Sequence, residues 1–229
     1  MGGSRLAQGS LAFGGEPDAS ITLELAGAEV RLWPNWIDPR EADGLLHALH
    51  KSIDFEQHRL RLFGREVDAP RLSCWIGDPR AYYRYSGATF APHPWPPLLA
   101  QLRERVEAAC DARFNSVLAN LYRDGRDAMG WHSDDEDELG AAPVIASVSL
   151  GGTRRFRMRP RHGSAPARTL ELTHGSLLCM SGETQTNYMH AVPRTRRPVT
   201  PRLNLTFRWV EPGKRDFQPA LGIAGDGRR

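Results

Sequence analysis

The sequence predicts a mainly β fold with flanking helices (α+β), arranged as a double-stranded β-helix or jelly-roll. From Phe114 onward, apolar and polar residues alternate in short segments that Gly- and Pro-bearing turns separate. A period of two is typical of strands with one buried face. Before Phe114, two segments instead have the apolar spacing of amphipathic helices. Many short strands after a helical start indicate packed sheets with helices outside them.

The first half of the chain contains two predicted helices, and the first has a clear start signal. Asp38 can cap a helix N-terminus and Pro39 suits the first helical position. The predicted elements of this half are strands Ile21–Leu25 and Glu29–Leu32, a helix from Pro39 to about Ser52, a hairpin that turns at Phe63-Gly64, and a helix from Pro96 or Pro97 to about Cys110.

The second half is predicted to form the β core. Its strand candidates are Ser116–Tyr122, Ile145–Leu150, Arg155–Arg159, Ala167–Leu172, Ser176–Met180 and Arg202–Val210. We expect one domain over residues 21–212 with this core at 114–210, preceded by a disordered Gly- and Ser-rich arm at 1–20 and followed by a tail at 213–229.

Composition narrows the class of protein. No apolar run approaches the roughly 18 residues that span a bilayer, so no membrane segment is expected. The three cysteines are odd in number and lack metal-binding spacing, which favours a reducing cytoplasm. Lys51 and Lys214 are the only lysines among 30 basic residues. That arginine bias suits a phosphate-rich partner, and genomic base composition explains it equally well.

Three residues that are not contiguous in the sequence are predicted to form one iron site. His132 and Asp134 lie two apart in GWHSDDE, and His190 follows in NYMHAVP. On extended chain, residues i and i+2 project to one side, and two imidazoles with one carboxylate form the facial triad of non-haem Fe(II) oxygenases. His174 is the main competitor for the third ligand.

A polar strand face follows the last of these residues. In RLNLTFRW, Arg202, Asn204, Thr206 and Arg208 share one face, and Leu203, Leu205, Phe207 and Trp209 share the other. The polar face could be solvated, or it could line a barrel interior. Buried arginines need anionic partners, which a dicarboxylate such as 2-oxoglutarate would supply. Asn120 and Tyr122 repeat the two-residue spacing in VLANLYRDG.

Taken together, these motifs resemble the AlkB family of Fe(II)- and 2-oxoglutarate-dependent nucleic-acid dealkylases. HSD, His190 and RLNLTFR match the family's HxD…H…RxNxTFR pattern in order, and NLYRDG and HGSLL are also similar. The resemblance implies Fe(II), 2-oxoglutarate and O2 as cofactor and co-substrates. It implies metal ligands at His132, Asp134 and His190 and 2-oxoglutarate contacts from Asn120, Tyr122, Arg202, Asn204 and Arg208. The implied reaction is oxidative demethylation of 1-methyladenine or 3-methylcytosine.

The first half is similar to the family branch that acts on duplex DNA. The resemblance implies a nucleotide-recognition lid at about residues 55–95. Its implied substrate contacts are an intercalating finger at Phe63, a basic residue at Arg71, aromatic pocket walls at Tyr83 and Tyr85, and a base contact at Asp135.

Other readings stay open at this point. The same enzyme class could act on RNA, a protein side chain or a small molecule, and a non-enzymatic β-barrel or structural-metal cupin would explain some of the same residues. The expected partner is alkylated DNA, duplex in preference to single strand. We expect a cytoplasmic monomer without a protein partner.

Overall fold

The computed structural model describes residues 20–62, 65–85 and 88–211; side chains are described for these except 60–62, 65, 83–85 and 88–90. Phe63, residues 1–19 of the predicted arm and the predicted tail at 213–229 lie outside the described residues. The helices are α1 (Pro39–Ser52), α2 (Pro97–Cys110) and α3 (Thr184–Asn187), with a 3₁₀ turn at Asp137–Leu139. The strands are β1 (Ile21–Thr22), β2 (Glu29–Trp33), β3 (Arg59–Leu62), β4 (Arg65–Asp68), β5 (Leu72–Gly77), β6 (Tyr83–Tyr85), β7 (Ala88–Phe90), β8 (Ser116–Tyr122), β9 (Met129–His132), β10 (Ile145–Gly151), β11 (Arg154–Pro160), β12 (Arg168–Leu172), β13 (Ser176–Ser181), β14 (Tyr188–Val192) and β15 (Arg202–Arg208).

Two antiparallel sheets form the body of the described chain. The major sheet has seven strands in the order β1-β2-β13-β10-β15-β8-β5, and the minor sheet has four in the order β12-β11-β14-β9. From β8 to β11 and from β12 to β15 the chain alternates between the sheets, so neighbours such as β10 and β15 are far apart in sequence. This arrangement confirms the predicted jelly-roll with flanking helices.

The two long helices cover the outer face of the major sheet. Asp38 caps α1 by accepting a hydrogen bond from the backbone N–H of Arg40, and Pro39 occupies its first turn. Leu45 of α1 and Leu99 of α2 are fully buried in one cluster with Leu205 of β15. Each such leucine contributes about 1.5–3 kcal/mol through burial, so this layer holds the major sheet in place.

A second core fills the space between the sheets. It includes Ile145 and Leu178 from the major sheet and Met158 from the minor sheet. Because strand side chains alternate, the major sheet sends one set of residues to the helices and the other set inward. The inward set is polar at one end, and this is where the predicted site residues gather.

The structure contains strands that were not predicted, and it corrects the expected position of one residue, Trp209. β5, β6, β7, β9 and β14 were not predicted, since they are short and lack a regular alternation of apolar and polar residues. Trp209, predicted to share the apolar face of the last strand, is 43% exposed because β15 ends at Arg208. Cys74, Cys110 and Cys179 are free and buried. Within the described ranges, no helix is long and apolar enough to cross a membrane.

Candidate metal centre and co-substrate pocket

Two neighbouring strands of the minor sheet bring the three predicted metal ligands together. β9 pairs with β14 so that His132 lies opposite His190, and Asp134 follows two residues after His132. One donor atom from each of the three lies within 4.8 Å of the others. Asp134 and His190 are buried and His132 is partly exposed. His174, the competing histidine, instead accepts a hydrogen bond from the backbone N–H of Gly151 at 2.8 Å and lies outside this cluster.

Neighbouring groups set the orientation of both imidazoles. Nδ1 of His132 lies 2.9 Å from the carbonyl oxygen of Gly130. A carbonyl only accepts, so Nδ1 carries the proton and Nε2 is left as the lone-pair donor. Phe156 stacks on the ring of His190 with centroids 5.2 Å apart. The two imidazoles are therefore held in ligand geometry by the protein itself.

Hydrogen bonds also hold the carboxylate. Arg208 donates from Nη2 to Oδ1 of Asp134 at 2.6 Å. The side-chain oxygen of Gln185 accepts from the backbone N–H of Asp134 at 3.0 Å. Next to it, the hydroxyl of Ser133 donates to the carbonyl of Tyr188 at 2.8 Å. The last two bonds join the HSD segment to α3 and β14, and so to His190. Gln185 was not predicted, because a single glutamine belongs to no recognisable sequence motif.

The electrostatics favour an ionised acid and neutral imidazole. Burial acts to raise the pKa of Asp134, but the charges of Arg208 and the two histidines outweigh it and hold that pKa at about 2. Burial, followed by repulsion from His132, lowers the pKa of His190 to about 3. Metal ligands must be deprotonated to bind. At neutral pH, Asp134 and His190 are therefore in their ligand forms.

The polar face predicted in the last strand lies in the interior. Arg202, Asn204, Thr206 and Arg208 are all buried, so the solvated-face reading is wrong. Two serines of the neighbouring strand β10, neither of which was predicted, accept hydrogen bonds from this face. Nη2 of Arg202 donates to the hydroxyl of Ser149 at 2.8 Å, and Nδ2 of Asn204 donates to the hydroxyl of Ser147 at 2.8 Å. Their alternation in IASVSLG was the available signal.

Arg202 is buried with donors to spare. It is 1% exposed, and its Nε and Nη1 find no hydrogen-bond partner among the residues that the structure describes. Its guanidinium lies 5.2 Å from the centroid of the Tyr122 ring, and buried Arg154 approaches the same ring at 5.5 Å. Burial lowers the pKa of Arg202 to about 10, which still leaves it charged at neutral pH. A buried cation with unused donors is the feature that an anionic ligand would satisfy.

A cavity that is partly open to solvent connects these groups. Asn120 and Tyr122 line it from β8, Asn204 and Arg208 from β15, and His132, Asp134 and His190 from the minor-sheet side. Metal-ligating and anion-binding groups thus face one space. A chelating anion could contact the metal at one end and Asn120 and Tyr122 at the other, with Arg202 next to the Tyr122 ring.

The residues predicted to contact the substrate differ in their solvent exposure. Asp135 is on the surface, where its carboxylate pairs with Arg161. Arg71 is 5% exposed, so it lies in the interior rather than on an open lid. Tyr83 and Tyr85 form strand β6, but their side chains are outside the description. β3 and β4 pair as the predicted hairpin.

Comparisons with known proteins agree with this geometry. Residues 29–208 match the family model of the 2OG-Fe(II) oxygenase superfamily. The chain is 41% identical over 208 residues to "Alpha-ketoglutarate-dependent dioxygenase alkB homolog 3" of Mus musculus, covering 85% of this chain and 71% of that protein. It is 40% identical over 185 residues to "DNA oxidative demethylase ALKBH2" of Mus musculus, covering 76% and 77%. The solved structure titled "The structure of OsALKBH1" matches with a TM-score of 0.58 at 16% identity, covering 83% of this chain and all of that one.

Proposed function

Because the chain belongs to the 2OG-Fe(II) oxygenase superfamily, and is therefore an Fe(II)- and 2-oxoglutarate-dependent dioxygenase, we propose that it demethylates alkylated bases in DNA. The observation that carries the proposal is the convergence of His132, Asp134 and His190 on one polar cavity, which Arg208 also lines. Sequence identity of about 40% to proteins named as DNA oxidative demethylases supports the choice of substrate.

The donor set fits Fe(II). Two imidazoles and a carboxylate on one side leave the opposite coordination positions open for co-substrates. We propose that His132 binds through Nε2, as its hydrogen bond to Gly130 requires, and that Asp134 binds while Arg208 holds one of its oxygens. These two hydrogen bonds fix the orientation of both groups.

The pocket fits 2-oxoglutarate. We propose that Arg202, Asn120 and Tyr122 hold the carboxylate far from iron, where the free Nε and Nη1 of Arg202 supply donors. Arg208 and Asn204 steady the end near iron. A buried guanidinium that lacks an anion is costly, and a carboxylate bound to it removes that cost through charge-assisted hydrogen bonds. This pairing explains how the fold tolerates a fully buried arginine.

Chemistry and recognition divide between cofactor and protein. When bound, iron with 2-oxoglutarate activates O2 and oxidises the N-methyl group, which leaves as formaldehyde while 2-oxoglutarate becomes succinate and CO2. The protein binds, orients and keeps water away. Asp135 would favour a cationic lesion such as 1-methyladenine or 3-methylcytosine over a neutral base, and the base would replace Arg161 as its charge partner.

Access to the methyl group requires the base to leave the helix. We propose that residues 55–95 form a nucleotide-recognition lid on a single domain at 21–212, with Phe63 filling the vacated stack and Tyr83 and Tyr85 flanking the flipped base. Unpairing costs a few kcal/mol, and less for a lesion that already blocks pairing. Stacking on one aromatic ring returns about 1–3 kcal/mol. Duplex DNA as preferred substrate, a monomeric enzyme and a cytoplasmic setting complete the proposal.

Outward-facing arginines support a polyanionic partner. Arg157 and Arg159 on the exposed face of β11 stack on Trp131 at 5.5 and 4.4 Å, one residue before the metal ligand His132. Phosphate groups could bind here without entering the cavity. Membership in an oxygenase family favours an enzyme over the non-enzymatic barrel, while RNA, protein and small-molecule substrates remain the competing choices to test.

The test is a panel of methylated oligonucleotides with mass detection of the demethylated product. We expect turnover on 1-methyladenine and 3-methylcytosine in DNA, and none by His132→Ala with its fold intact by circular dichroism. Retained iron-dependent formaldehyde release by His132→Ala would overturn the metal site. Turnover on methylated RNA, peptide or small molecules alone would overturn the DNA assignment and leave the enzyme class standing.

A further inference from the structure

Arg71 reaches the proposed co-substrate pocket from the segment expected to act as a lid. It lies directly before β5, which pairs with β8 so that Ser73 faces Asn120. Its side chain is buried and its Nε donates to Oδ1 of Asn120 at 2.9 Å. A residue that the family resemblance assigned to substrate contact therefore bonds to a side chain that lines the cavity.

The direction of this bond determines how Asn120 presents its amide. A guanidinium has donors and no acceptor, so the amide oxygen must face Arg71. The Nδ2 donor of Asn120 is then directed away from Arg71, as a carboxylate ligand requires. Without Arg71, the amide could rotate by 180° and present Oδ1 to the ligand. The partial negative charge of that oxygen would then repel the ligand carboxylate.

The charge of Arg71 acts in the same sense. Among the described residues, no carboxylate forms an ion pair with Arg71, Arg154 or Arg202, although all three guanidinium side chains are buried. Arg71 bonds to Asn120, and the guanidinium groups of Arg154 and Arg202 lie 5.5 and 5.2 Å from the centroid of the Tyr122 ring. A ligand carboxylate entering here would gain from each of them in a weakly screened interior.

We propose that Arg71 is a positioning residue for 2-oxoglutarate: it orients Asn120 and adds positive potential, and it does not act by contacting the base. The inference rests on the proposed co-substrate pocket. It differs from a base-contact role in one measurable way. A positioning residue changes 2-oxoglutarate affinity with no nucleic acid present, whereas a base contact changes only oligonucleotide affinity.

The experiment uses the full chain loaded with Mn(II), without O2 turnover, and titrates 2-oxoglutarate by calorimetry. Arg71→Met, which keeps much of the volume and removes every donor, should weaken 2-oxoglutarate binding about tenfold. Arg71→Lys should be intermediate, and it provides a folded comparison if the Met variant is unstable. Arg113→Met, on an arginine 84% exposed and distant from the cavity, is the control and should bind like the wild type. Oligonucleotide affinity should change little in any of these variants.

A double-mutant cycle tests whether Arg71 acts through Asn120. Asn120→Ala should also weaken 2-oxoglutarate binding. The fold loss of affinity in the double variant should be smaller than the product of the fold losses in the two single variants. Unchanged 2-oxoglutarate affinity in Arg71→Met, or losses that multiply fully, would overturn the positioning role. Wild-type protein that binds 2-oxoglutarate yet demethylates no oligonucleotide would count against the proposed substrate and leave this test readable.

Discussion

The buried ion pair between Arg208 and Asp134 predicts a large loss of stability when one partner is removed. The two side chains are 4% and 3% exposed and lie 2.6 Å apart. In Arg208→Met the carboxylate keeps its burial cost and loses the charge that offsets most of it. Removing one member of a buried pair is more damaging than replacing both, because one charge is left without compensation.

The magnitude follows from the acidity of Asp134. Its pKa lies at about 2 instead of 3.8, and at 1.36 kcal/mol for each tenfold change this corresponds to about 2 kcal/mol. That contribution is complete well above the ordinary pKa and is lost as pH falls toward 2. Breaking a buried pair costs about 3–5 kcal/mol in measured cases. A loss of about 3 kcal/mol lowers the Tm of a domain this size by roughly 6–12 °C.

The assay is thermal unfolding of metal-free protein at pH 7, with and without Mn(II). We expect Arg208→Met to melt well below the wild type and to gain more from Mn(II), because the cation replaces the missing positive charge beside Asp134. The double variant Asp134→Asn, Arg208→Met should recover most of the metal-free loss. Equal Tm values for wild type and Arg208→Met without metal would refute the reasoning, as would equal stabilisation of both by Mn(II).

Three further predictions concern other contacts. Gln185→Leu should weaken Mn(II) binding about 10–100-fold by releasing the backbone of Asp134; fluorescence titration measures this, and unchanged affinity would mean the bond has no role. Because the pKa of His190 is lowered to about 3, this histidine takes up a proton more readily in the unfolded chain than in the folded one. The free energy of unfolding of the metal-free protein should therefore fall as pH drops below 6.5. In urea unfolding, His190→Phe should show a flatter dependence of stability on pH, and profiles identical to the wild type would contradict the assignment. Arg159→Met, which breaks the stack on Trp131, should lower the salt slope of oligonucleotide binding by about one; an unchanged slope would exclude a phosphate contact at Arg159.

Local signals predicted the two long helices well, whereas the one-turn helix α3 was not predicted. The bounds of α1 and α2 follow from Asp38-Pro39 and Pro97, since caps and proline act within a few residues. Strands β8 and β15 were predicted nearly to the residue because their alternation is long and regular. β9 and β14 were missed as strands although they carry His132 and His190. Functional residues displace the apolar ones on which such prediction depends.

Residue types and their spacing in the sequence alone predicted the metal ligands in HSD and at His190 and the anion-binding arginines of RLNLTFR. Only the tertiary structure decided that β9 pairs with β14 in the register that sets His132 opposite His190, that Gln185 and Ser133 secure the segment between them, and that Arg71 bonds to Asn120. The physical reason is range. Caps and alternation arise between near neighbours in the chain, whereas strand register and buried hydrogen bonds depend on which distant segments the packed sheets bring together.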